Sequence, residues 1–118
     1  MEYKFEKLDV WDISLELSDH VYEMADILPE SEKFNLRSQV VRAVTSISLN
    51  IAEGSTSQTD SEQKRFIGYA IRSLIEVIAC IRLMERRNYI NHSKLKSNTE
   101  ETAHKLFIKL QAFRNALK

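Results

Sequence analysis

Glycine and proline are almost missing from this chain, with two glycines and one proline in 118 residues. So few leave nearly nothing for tight hairpin turns, and no glycine-rich phosphate loop can be built. Cysteine occurs once, at Cys80, so no intramolecular disulfide can form and a disulfide-stapled secreted scaffold is excluded. No uncharged apolar run approaches the ~18 residues that span a bilayer, so no membrane partner is expected. The opening stretch, Met1 to Lys7, has no apolar core of a signal peptide, and the expected compartment is the cytoplasm. An excess of one charge is also lacking. Seventeen bases balance seventeen acids, so the chain has no whole-molecule basic footprint for nucleic acid.

The charges are unevenly placed. Residues 1–30 hold nine acids against Lys4 and Lys7, a net −7, and residues 31–118 carry the compensating +7. Apolar residues make up 43% and charged residues 29%, the mix expected of a soluble globular chain. At this length residues 1–118 form one domain with one core.

The apolar pattern predicts four amphipathic helices. Val10, Ile13, Leu17, Val21, Met24 and Leu28 recur at helical spacing over about 10–28. On the same segment Asp9, Asp12, Glu16, Asp19, Glu23, Asp26 and Glu30 form a continuous acidic stripe, a surface that can recruit a basic protein partner. Pro29 stops this helix. A second helix is expected over about 35–53, with Leu36, Val40, Ala43, Val44, Ile47 and Ile51 inward and Gly54 as a left-handed terminator. Asp60 or Ser61 can cap the third helix, over about 62–87. That helix carries two apolar seams: Ile67, Ile71, Leu74, Ile78 and Ile81, then Phe66, Ala70, Ser73, Val77, Cys80 and Met84. So wide a face either sits deep in a bundle or also meets another subunit. A fourth helix starts near Ser93 and continues through Leu95, Thr99, Thr102, Leu106, Leu110, Phe113 and Leu117. No period-two strand pattern is present. Short joints between four such helices give an all-α, antiparallel up-down-up-down bundle.

Two groups of residues are candidates for function. The outer face of the second helix carries Arg42, Ser46, Asn50 and Glu53, to which Glu76 of the third helix can be added. This stripe suits a tight polar contact. It is either a ligand site or a structural network, and the structural network is the expectation, with Arg42 paired to Glu53 or Glu76 in the fold or across a subunit interface. On the third helix Arg65, Arg72 and Arg86 fall at multiples of seven residues, with Lys64, Arg82 and Arg87 beside them. They form either a phosphate-binding face or an ordinary solvated one. Glu101 and His104 have the spacing used in di-iron bundles, but no second such motif exists, so no metal and no cofactor are expected. His20 and His92 have no partners at ligand spacing. Cys80 reads as a buried thiol. No catalytic constellation can be placed, and a non-enzymatic protein is expected.

The block Leu36-Arg37-Ser38-Gln39, ending in Asn50-Ile51-Ala52-Glu53-Gly54, resembles the signature of the four-helix-bundle family of 23S ribosomal RNA intervening-sequence proteins. The accessory variability determinant of diversity-generating retroelements is a relative of that family. Leu8-Asp9-Val10-Trp11 looks like the family's opening. Pro29, Glu32 and Phe34 sit where its first joint places proline, acid and aromatic. Arg42-Ala43, Ser46-Ile47, Phe66, Ala70, Ser73-Leu74, Glu76 and Tyr89-Ile90 extend the match over about residues 8–90. Val41 stands where the family has a second base, Arg72 and Asn88 where it often has Gly, and Asn35 where it commonly has Gly, a position Asn tolerates in the left-handed conformation. The resemblance implies a bacterial protein that self-associates, most simply as a closed pentamer, and that binds RNA or other nucleic acid in an accessory role. A structural or protein-interaction module that uses the acidic first helix, without nucleic acid, is the alternative.

Overall fold

The computed structural model describes residues 1–91 and 93–118. Four helices dominate it: α1 (Asp9–Asp26), α2 (Leu36–Gly54), α3 (Asp60–Arg86) and α4 (Lys94–Ala116). There is no strand among the described residues. Short 3-10 turns over Lys4–Lys7 and Glu30–Glu32 precede α1 and α2. Each helix packs on two neighbours, α1 on α2 and α4, and α3 on α2 and α4. The result is the expected up-down-up-down bundle, 44 × 26 × 23 Å. Among the described residues no helix is long and apolar enough to cross a membrane.

The inward stripes are those given by the helical period. Val10, Ile13, Leu17, Val21 and Met24 of α1 are buried against Val40, Val44, Ile47 and Ile51 of α2 and the corresponding rows of α3 and α4. On α3 the wide apolar face is mostly consumed inside the bundle. Ile67, Ala70, Ile71, Leu74, Val77, Cys80, Ile81 and Met84 are all buried, which leaves Tyr69, Ile75 and Leu83 exposed on its outer side.

The helix ends differ from expectation in physical detail. Helix α1 stops at Asp26, because Ile27 and Leu28 tighten into bonds to Met24 and Ala25 carbonyls before Pro29. Gly54 is not a left-handed terminator. It is the last residue of α2, and no glycine has positive φ. A Cβ there would lie 2.9 Å from the Phe66 Cβ, so this glycine lets α2 approach α3. Asn35 is not left-handed either, with φ −123°. Thr59, rather than Asp60 or Ser61, caps α3 by accepting from the Glu62 amide at 3.1 Å. The left-handed residue is Asn88, φ 61°. The Tyr89 amide reaches back to Met84 and the Asn88 amide to Glu85, both at 3.0 Å, a Schellman closure of α3. Ser93 caps α4 by accepting from Lys96 at 3.2 Å.

Of the polar links between elements, two bear on how the helices and joints are aligned. Ser14 Oγ donates to the Trp11 carbonyl at 2.7 Å and pairs with Ser48 Oγ at 2.9 Å, joining α1 to α2 inside the core. Glu32 accepts from Tyr89 Oη at 2.8 Å and from Asn35 Nδ2 at 2.9 Å. This ties the α1–α2 joint to the α3–α4 joint at one end of the bundle. The Tyr89 and Asn35 hydrogen bonds hold the Glu32 carboxyl below its ordinary range, and the same bond pushes the Tyr89 hydroxyl up.

Candidate nucleic-acid interface

The helical period sends Arg65, Arg72 and Arg86 to the outer side of α3, opposite Ile67, Leu74 and Ile81, and all three are exposed. Along the helix Arg72 lies about 10 Å from Arg65 and about 21 Å from Arg86. Among the described residues none of the three has an ion-pair partner within the chain. Arg65 has its guanidinium 5.8 Å from the Phe66 ring centroid. Arg87 is exposed at the end of the same helix.

The other two bases of the expected group are engaged. Arg82 Nη1 bonds Glu85 at 2.8 Å and Glu100 at 2.7 Å, and Lys96 bridges the same two carboxylates from α4. The bonds to Glu100 and Glu85 raise the Arg82 pKa. Burial pushes the Glu85 carboxyl up, but the Arg82 and Lys96 hydrogen bonds outweigh it and hold the group below its ordinary range. Lys64 Nζ donates to the Lys118 carbonyl at 3.1 Å. The available basic stripe is therefore Arg65, Arg72, Arg86 and Arg87.

The polar stripe of α2 is only partly a network. Asn50 Nδ2 donates to the Ser46 carbonyl at 2.8 Å and to Ser46 Oγ at 3.1 Å, and Ser73 Oγ donates to Ser46 Oγ at 3.0 Å across to α3. Arg42, Glu53 and Glu76 are exposed, and among the described residues none has an ion-pair partner in this chain. The expected Arg42–Glu53 pairing within the fold is corrected by simple geometry. Eleven residues of helix separate the two by about 16 Å. Ser46, Asn50, Ser73, Tyr69, Arg72 and Glu76 line an open depression of about 470 Å³.

Glu101 and His104 part company on α4. Glu101 faces a depression with Glu16 and His20, and His104 faces the groove toward Ile75 and Ile78 of α3. Among the described residues no three His, Cys, Asp or Glu side chains stand close enough to hold a metal. His92 lies outside the described residues. Cys80 is buried, and burial, with Glu76 nearby, pushes its thiol up, which leaves it unreactive.

The acidic stripe of α1 is partly covered. Asp9 takes Lys109 of α4 at 2.7 Å, which lowers its pKa, and Asp26 takes Arg37 of α2 at 2.9 Å. Asp12, Asp19 and Glu23 remain exposed.

The resemblance places Phe34 in the first joint but gives it no role. Phe34 belongs to neither flanking periodic segment, so no stripe accounts for it, yet 89% of its surface is open to solvent. Full burial of such a side chain would contribute about 1.5–3 kcal/mol, which this fold forgoes.

Comparison with known proteins agrees with the fold. No curated protein matches the chain. A crystal structure of a protein of unknown function from the S23 ribosomal protein family of Bacteroides thetaiotaomicron superposes with a TM-score of 0.80 at 23% identity. The match covers 89% of this chain and 97% of that one, and at this identity it speaks for the fold. The model of the 23S rRNA-intervening sequence protein family matches residues 6–107. With four antiparallel helices and a family match over most of its length, the chain belongs to the 23S rRNA-intervening sequence protein family.

Proposed function

We propose that this protein is a non-enzymatic, homo-oligomeric RNA-binding accessory protein of the cytoplasm. The observation that carries the reading is the contrast among its bases. Arg37, Arg82, Lys96 and Lys109 are engaged by carboxylates of the same chain, whereas the α3 row Arg65, Arg72 and Arg86 is exposed with no such partner among the described residues. Guanidinium groups on one straight face match a phosphate backbone. The exposed carboxylates of α1 repel that backbone, so RNA approaches from the α3 side. Self-association is carried over from the family resemblance, which sets the expected number at five.

The test is a titration against structured RNA at several salt concentrations. Binding should weaken steeply with salt, and each of Arg65→Ala, Arg72→Ala and Arg86→Ala should reduce the slope of log affinity against log salt by about one. Absence of salt-sensitive binding would overturn the reading. The exposed Asp12, Asp19 and Glu23 favour a second one, an interaction module for a basic protein, which the same titration with a basic peptide would detect.

A further inference from the structure

Phe34 is held outward by a well-tied joint. Glu32 fixes the turn through Asn35 and Tyr89. The Glu32, Lys33 and Asn35 amides donate to the Pro29, Glu30 and Glu32 carbonyls in turn, and Leu36 is anchored in the core. The ring opens onto a depression of about 660 Å³ lined by Lys33, Phe34, Arg37, Ser38, Val41 and Arg42. Among the described residues no carboxylate lines it, though Glu30 stands at its border, 3.9 Å from Lys33. Half-buried Val41 supplies an apolar wall where a second base would have made a charged one. Lys33 Nζ stands 5.5 Å from the ring centroid. Arg37 is turned to Asp26, and Arg42 is exposed with no ion-pair partner among the described residues.

An open aromatic ring beside Arg42, which has no ion-pair partner among the described residues, and beside Lys33, whose pair with exposed Glu30 is long at 3.9 Å, has the chemistry of a single-stranded nucleic-acid platform: a base stacks and its phosphates meet the cations. We propose that this depression stacks an unpaired base of single-stranded RNA on Phe34, with the flanking phosphates held by Arg42 and Lys33. The proposal rests on the RNA reading above and adds the class of RNA. A duplex keeps its base faces inside the helix and offers this ring nothing to stack on. Unpaired loops, bulges and ends are the ligand.

The experiment titrates wild type, Phe34→Trp, Phe34→Leu and Phe34→Ala with a single-stranded oligoribonucleotide carrying 2-aminopurine, and with the duplex of the same sequence. Light scattering follows the oligomeric state without RNA. Wild type and Phe34→Trp should bind the single strand and quench the 2-aminopurine. Phe34→Leu and Phe34→Ala should lose about tenfold or more in single-strand affinity and lose the quench, with duplex binding unchanged. Two outcomes overturn the proposal: Phe34→Leu binding like wild type, which would make the contact merely apolar, and Phe34→Ala dissociating the oligomer without RNA, which would make the ring a subunit contact. If all Phe34 variants bind like wild type while Arg65→Ala, Arg72→Ala and Arg86→Ala still flatten the salt slope, the stacking site falls and the RNA reading stands. If wild type binds no RNA, both fall.

Discussion

Arg82 and Arg72 share one helix and put the same charge to opposite uses. Arg82 is gripped by Glu85 and Glu100, with Lys96 closing the group. Arg72 points to the α2 side and has no ion-pair partner among the described residues. The contrast extends to whole faces. Where α4 meets α1 and α3, cations and carboxylates cancel at short range, as in Lys109–Asp9 and Arg82–Glu100. Where α2 and α3 turn outward, Arg42, Arg65 and Arg72 have no ion-pair partner among the described residues, and neither do the exposed Glu53 and Glu76 that share this face. Exposed ion pairs contribute only about 0–1 kcal/mol each to stability. Their larger effect is to silence a surface, and the unpaired face stays electrostatically visible to a partner. A net charge of zero conceals this division completely.

The strongest way to break the contrast is to separate the helices that carry the open face. Gly54→Val should cost about 1–3 kcal/mol in urea unfolding, because the Phe66 Cβ lies too near the backbone to move aside. An unchanged midpoint would mean that α2 and α3 slide apart freely. Next comes a paired substitution. Arg82→Ala should lower stability by up to about 1 kcal/mol, and the loss should shrink in high salt. Arg72→Ala should stay within about 0.5 kcal/mol of wild type and weaken RNA binding instead. Swapped results would erase the distinction between the two arginines.

Titration sharpens the comparison at the joint end. The Glu32 carboxyl is held below its usual 4.5, so the stability it contributes is complete above pH 4.5 and is lost as pH falls through its folded value. The Tyr89 hydroxyl is held above its usual 10.0, so its contribution is complete below pH 10.0 and is lost as pH rises through its folded value. Tyr89→Phe should remove the alkaline arm and shrink the acid one in thermal melts. Superimposable pH profiles for the two proteins would show that the clasp does nothing. The smallest effect is expected for Arg42→Ala and Glu53→Ala, each within about 0.5 kcal/mol by calorimetry, since both are exposed. A loss near 3 kcal/mol would reveal a buried partner in a neighbouring copy.

The bundle was legible because its signal is periodic. Stripes such as Leu36, Val40, Ile47 and Ile51 repeat often enough that a local error cannot hide them. The exposure of Arg65, Arg72 and Arg86 followed from the same phase. What was not legible depends on single contacts across the chain. Nothing near Arg82 in sequence reveals that Glu100 reaches it from another helix. Gly54 was misread because close approach to Phe66 and left-handed geometry both call for glycine, and only the packing tells them apart. Asn88 took the left-handed position through a six-residue closure that no short motif announces. The resemblance placed Phe34 in the first joint, but its outward exposure was not legible because it belongs to no stripe.

Ser14 and Ser48 give the core something its apolar rows lack. Rows of Val, Leu and Ile would mesh nearly as well if α1 slipped one turn along α2. Such a slip would separate the two hydroxyls; Ser14 would keep its bond to the Trp11 carbonyl, while Ser48 would lose its partner, at about 1–3 kcal/mol. Their contact at 2.9 Å thus acts as a register pin. It discriminates among alignments that greasy packing alone would accept, and it fixes how far every residue of the open α2–α3 face stands from the two joints.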